Sequence, residues 1–140
     1  GGELVILAPG VRRFGEDDEI DRLIRRFTYR GTPATLAAVR SEPELAANLA
    51  AAAHLVHGSS EGRFRITYCP GGLTRDEIEG VGYAWGALAA AEARYGAAGA
   101  DGWQHTADGE RFYRISHPGQ GLWAVRGRFE AAPAAAGREA

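Results

Sequence analysis

A chain of 140 residues, 45% of them hydrophobic, is long enough to bury a core of its own. A formal net charge of −2 and a pI near 6.1 give no electrostatic case for nucleic acid or an anionic membrane as partner. All 16 basic residues are arginines, so no lysine can form a Schiff base or tether a cofactor, and one cysteine excludes an internal disulfide.

The chain opens on Gly1-Gly2 without an initiator Met and runs directly into Glu3–Leu7, a short apolar run expected to be a buried strand. Residues 8–15 read as a loop. Glu16, Asp17, Asp18 and Glu19 then place four acids where a helix would begin, which suits the positive end of its dipole better than it suits a metal site. Ile20, Leu23, Ile24 and Phe27 follow at helical spacing, so the pattern predicts a helix over 17–28 with one apolar stripe. Residues 35–39 fit either a strand or a helix entered through Thr32-Pro33, and the strand is preferred. The Ser41-x-x-Glu44 pattern with Pro43 looks like a fresh helix start. That helix is slender with alanine, buries Leu45, Leu49 and Val56, and ends at Gly58.

Residues 64–69 form the second expected strand. Thr74 and Glu77 make a capping box and Leu73 with Ile78 a hydrophobic staple, so a short helix is expected over 74–81. After a corner at Gly82-Tyr83 a further helix is expected over 84–95. Residues 99–110 read as a loop with a turn at Asp108-Gly109, residues 112–116 as a third strand, and residues 122–129 as a last strand pairing back as a hairpin. Each of the three clear strands runs into a Pro-Gly pair, at Pro9, Pro70 and Pro118, which suggests a sheet whose strands stop near one edge. Strands alternating with helices give the expected class: α/β, a mostly parallel sheet with helices on both faces, Rossmann-like in three layers. A single domain over 1–129 with a disordered, low-complexity tail over 130–140 completes the expected organisation. Without a signal peptide or an apolar run of about 18 residues, the setting expected is cytoplasmic, with no membrane partner.

The stretch from His54 to Gly72 carries most of the chemistry-bearing residues. His54 and His57 lie at i, i+3, a spacing that suits a divalent metal, but a third ligand such as Cys69, His105 or His117 would have to come from elsewhere. The preferred reading of the pair is one imidazole packed on alanine and one at the helix C-terminus, where a cation is favoured. Ser59, Ser60, Glu61 and Arg63 offer two hydroxyls, a carboxylate and a guanidinium for a phosphate or carboxylate, unless they only form a polar connection. Gly71 and Gly72, ahead of the Thr74 helix, could hold an anion, but they lack the full phosphate-loop and dinucleotide patterns. His117 and Trp123 sit in glycine-rich surroundings and join the candidates that would line a site. No Ser/His/Asp order, nucleophile elbow or carboxylate pair is evident.

Gly1-Gly2-Glu3-Leu4-Val5-Ile6-Leu7, then Phe14-Gly15-Glu16-Asp17, then His57-Gly58-Ser59-Ser60-Glu61-Gly62-Arg63-Phe64 follow an order that resembles the C-terminal domain of the lactate-racemase-like proteins. The resemblance runs over roughly residues 1–129. It implies a 2-hydroxy-acid racemase or epimerase in which a hydride passes to a nickel-pincer nucleotide and returns on the other face. It also implies an N-terminal catalytic domain of the same polypeptide as partner, carrying the lysine tether and the acid and base histidines. No family catalytic residue maps onto a position here, so the chain would be inactive alone. Two other classes remain: a free-standing metal-dependent enzyme built on His54, His57 and Cys69, and a non-catalytic module that binds an anion or another ligand.

Overall fold

A computed structural model describes residues 2–96 and 99–120. The chain is α/β: a three-stranded parallel sheet flanked by helices, and an antiparallel hairpin. Two compact units contain them, Gly1–Gly96 and Ala97–Ala140.

In the first unit β1 (Glu3–Ala8) pairs in parallel with β2 (Arg65–Pro70), in register from Glu3 opposite Arg65 to Ala8 opposite Pro70. The two-residue β3 (Ala84–Trp85) adds in parallel to the other side of β2, opposite Thr67 and Tyr68. Between β1 and β2 lie α1 (Asp18–Phe27), α2 (Thr32–Ser41), α3 (Pro43–Ala46) and α4 (Leu49–His57); α5 (Arg75–Gly80) links β2 to β3. After β3, α6 (Leu88–Tyr95) runs back over β1 and β2.

The amphipathic stripe of α1 does what its spacing requires. Leu23 and Ile24 are fully buried and Ile20 nearly so, in one cluster with Leu45 of α3, Leu55 of α4, and Ile78 and Val81 of the α5 segment. Asp17 starts the helix, its carboxylate accepting from the Ile20 amide at 2.8 Å. Arg25 bridges Asp21 at 2.7 Å and Glu77 at 2.9 Å, tying α1 to α5, and Glu44 of α3 ion-pairs with Arg22 and Arg26. The capping box over Thr74 and Glu77 is present as expected.

Residues 35–39 are not a strand: they lie inside α2, which begins at Thr32 with Pro33 in its first turn. Proline's preset φ suits that position, and the Thr35 hydroxyl returns to the Gly31 carbonyl at 3.0 Å, so its β-branch costs little there. The single helix expected after Pro43 is interrupted, because Asn48 leaves helical geometry and caps α4 by accepting from the Ala51 amide at 3.0 Å. The third parallel strand is Ala84–Trp85, in a stretch expected to start a helix. Residues 111–114 form β5, which pairs antiparallel with β4 (Gly102–His105) in the second unit. Residues 102–105, expected as loop, are thus a strand, and the predicted turn at Asp108-Gly109 closes the hairpin with Gly109 at φ 87°. The last strand expected over 122–129 lies outside the described residues.

Pro70 belongs to β2 itself, although proline in a central strand normally breaks a ladder. The Gly86 amide donates to the Tyr68 carbonyl at 2.9 Å, so the even-numbered residues of β2 present their backbone groups to β3. The position that would carry a Pro70 N–H faces past the end of β3 at Trp85, where no ladder donor is needed.

Candidate functional site

A cavity of about 370 Å³ opens at the amino ends of β2 and β3. Tyr29, Gly58, Ser60, Phe64, Gly82 and Tyr83 contribute to its walls, with Arg65, Ile66 and Ala84 from the strands. Ligand sites of open α/β sheets lie outside the carboxyl ends of the strands, so this cavity is at the opposite edge from the one the Pro-Gly pattern suggested.

At the carboxyl edge the exits of β1 and β2 are packed closely together at Gly71. A Cβ there would stand 2.0 Å from the Pro9 carbonyl oxygen, so the two strand exits pack backbone against backbone. The Gly71 amide donates to Ala8 and the Gly72 amide to Val11, each at 3.0 Å. The amides expected to receive an anion are therefore engaged within the chain. The start of α5 is closed as well, because Glu77 accepts from both the amide (2.7 Å) and the hydroxyl (2.8 Å) of Thr74.

Three tyrosines form a stacked row behind the cavity. Tyr29 and Tyr83 lie 4.4 Å apart between centroids, and Tyr83 and Tyr68 lie 5.8 Å apart with nearly parallel planes. The Tyr83 hydroxyl donates to the Gly58 carbonyl at 2.8 Å, and the Tyr29 hydroxyl shares a 3.0 Å hydrogen bond with Nδ1 of His54. The Tyr29 amide donates to the Val81 carbonyl at 2.9 Å, which holds the loop after α1 against the corner before β3. Burial pushes the Tyr29 phenol up to about 12 and raises Tyr68 and Tyr83 as well. Burial also lowers the pKa of His54, keeping the imidazole neutral near pH 7. At neutral pH the row is thus uncharged: an aromatic wall with hydroxyl tips, suited to hold a small molecule and lacking an ionised base.

The remaining sequence candidates fall in different places. Ser59 is committed, donating to the Leu55 carbonyl at 2.8 Å and accepting from the Gly31 amide at 3.1 Å. The Glu61 carboxylate accepts from the Thr32 amide and hydroxyl, at 2.7 and 2.6 Å, and so caps α2 from outside; those two bonds lower its pKa. Arg63 is exposed at the surface and Ser60 lines the cavity. His54 and His57 part company, the first half-buried against Tyr29 and the second exposed. Cys69 is buried and its thiol is pushed up by that burial, the reverse of a nucleophile or metal ligand. Among the described residues no three His, Cys, Asp or Glu side chains are grouped to hold a metal ion. His117 is exposed in the second unit, near Asp101, whose carboxylate accepts from the Ser116 amide at 2.6 Å. Trp123 lies outside the described residues.

The sequence gives no sign of Tyr29 or of its pairing with Tyr83. Each stands beside a positive-φ glycine corner, at Gly31 and Gly82, but nothing local pairs two positions 54 residues apart.

No protein-family model and no curated protein matches the chain. Among solved structures it is similar to a crystal structure of a protein from Thermotoga maritima, with a TM-score of 0.52 and 22% identity over 64% of this chain. The chain spans 23% of that protein's length. At this identity the likeness concerns the fold.

Proposed function

We propose that this chain is the α/β unit of a longer, cytoplasmic lactate-racemase-like enzyme, a racemase or epimerase of small 2-hydroxy acids, and that it is inactive alone. The observation that carries the reading is the order of strand, glycine and acidic segments from Gly1 to Phe64, which resembles that family's C-terminal domain. Two facts agree with it: the fold is α/β with a parallel sheet, and a similar fold occurs as a small share of a longer protein.

The nickel-pincer nucleotide of that family does not fit the residues present. The chain has no lysine to tether it, and the described residues group no three metal-binding side chains. The hydride chemistry would belong to another part of the polypeptide, and no step of it is assigned to a residue here. The same observation disfavours a free-standing metal enzyme on His54, His57 and Cys69.

The test uses the full-length protein that contains this segment, loaded with nickel and pincer cofactor and supplied with lactate and other single-enantiomer 2-hydroxy acids. Interconversion by the full-length protein and none by the 14.9 kDa chain is the expected result. A loaded full-length protein that racemises none of them overturns the reading.

A second reading rests on the cavity. Its volume is in the range of small-molecule sites, and aromatic walls with a few hydroxyls are the usual lining of such sites. A ligand-binding α/β unit predicts that small carboxylates and aromatic metabolites perturb the NMR signals of Tyr29 and Tyr83. A screen that leaves those signals unmoved removes it.

A further inference from the structure

The outer edge of β1 carries an inference independent of the racemase reading. In a parallel ladder one residue presents both its N–H and its C=O to the same neighbour. The Arg65 amide donates to the Gly2 carbonyl at 2.9 Å and the Gly71 amide to the Ala8 carbonyl at 3.0 Å, so the even-numbered residues of β1 face β2. The amides and carbonyls of Glu3, Val5 and Leu7 therefore point the other way, where no strand lies among the described residues.

Proteins guard such an edge with lysine, proline, a bulge or an inward charge. The interior of β1, Leu4-Val5-Ile6-Leu7, has none of these. Leu4 also shares the face of Ile66, which is buried, and of Tyr68, which packs against the main core, yet it is 43% exposed. A strand added at this edge would cover that side chain.

We infer that β1 pairs antiparallel with β1 of a second copy of this chain, joining two three-stranded sheets into one across a two-fold axis at Val5. The strand is suited to this self-pairing. Hydrogen-bonded pairs must match outward residues, which sets Val5 opposite Val5 and Glu3 opposite Leu7, each pair exchanging both N–H···O bonds. Leu4 then stands opposite Ile6 and gains the cover it lacks. The two Glu3 carboxylates are offset by four residues, about 13 Å at roughly 3.3 Å per residue, beyond the screening length of about 8 Å in physiological salt. Strand edges alone bury less than a standard interface, so the association is of the weak, concentration-dependent class.

The experiment is light scattering coupled to size exclusion across a concentration series of the intact chain. The mass is expected to rise from 14.9 kDa toward twice that value. Val5→Pro removes only an outward amide, and Leu4→Lys places an edge-guarding charge on an exposed position. Both are expected to keep the far-ultraviolet spectrum and to weaken association at least tenfold. Amide exchange adds a readout that needs no variant: protection of the Val5 and Leu7 amides is expected to increase with concentration. A chain that stays at 14.9 kDa at its highest soluble concentration overturns the inference. So does protection of those amides that is already complete in the monomer, since it would place a strand of the same chain on the edge.

Discussion

Gly58→Ala tests the aromatic row directly, because two effects of opposite sign meet there. The residue sits at φ −79° and ψ −5°, an ordinary right-handed conformation, so alanine introduces no backbone strain. Judged by backbone alone, the substitution should stabilise the protein by about 0.4–1 kcal/mol, by restricting the unfolded chain. The surroundings argue otherwise: an added Cβ would lie 2.4 Å from Cε1 and 2.8 Å from Cδ1 of Tyr29, and 2.7 Å from the Tyr83 hydroxyl. These atoms cannot withdraw cheaply, since Tyr29 is stacked on Tyr83 and bonded to His54, and Tyr83 is bonded to the Gly58 carbonyl itself. Overpacking of this kind costs about 1–3 kcal/mol. The balance is a net loss centred on about 1.3 kcal/mol, which at about 4–8 °C per kcal/mol for a unit of this size lowers Tm by roughly 5–10 °C. Thermal unfolding followed by far-ultraviolet circular dichroism measures it, and the near-ultraviolet tyrosine signal should shrink in the same variant. A Gly58→Ala protein that melts higher than the parent would refute the close approach of Tyr29 and Tyr83 to α4.

Other expectations follow from the same contacts. Leu23→Ala, at a fully buried position, should cost about 2–5 kcal/mol in denaturant unfolding; Leu36→Ala, at a position 47% exposed, should stay within about 0.5 kcal/mol. The pKa of His54 is lower in the folded chain than in the unfolded one. Its neutral form thus supports folding above the unfolded value of about 6.5, and that support fades as pH falls through the folded value. Tm should therefore drop between pH 7 and 5, and His54→Gln should flatten the drop; equal slopes would remove His54 as its source. The Cys69 thiol, buried with a raised pKa, should react slowly with a disulfide reagent in the native chain and rapidly in guanidinium; fast native labelling would contradict its packing.

The elements legible in the sequence were those whose signals are local and redundant. The α1 helix combines an apolar period, an acidic start and basic last-turn residues, and α5 carries a capping box inside six residues. The strands β1 and β2 are apolar runs bounded by turn residues. What was missed depends on partners far along the chain. A two-residue β3 has no period to detect and exists because β2 offers it Thr67 and Tyr68. The strand β4, alternating between partly buried and exposed residues, needs β5 to become a strand at all. In α2 the apparent fresh helix start at Ser41–Glu44 argued for a strand before it, and the Thr35 hydroxyl bond to Gly31 that helps hold the helix is visible only in three dimensions. The candidate site divides in the same way. The stretch from His54 to Gly72 reaches the cavity, which Gly58 and Ser60 line, but its polar members Ser59 and Glu61 are spent on fastening α2.

The proline at the end of β2 has a consequence for how the sheet finds its alignment. A strand can slide past its neighbour by two residues and still keep each side chain on its proper face, so this is the error that hydrophobic patterning does least to prevent. Here a slip of β3 toward the carboxyl end of β2 would call on Pro70 for a donor it does not have. Errors in that direction are penalised at the first step. Pro70 thus works as a mechanical stop, and the two residues of β3 reach one alignment despite being too few to specify it by themselves.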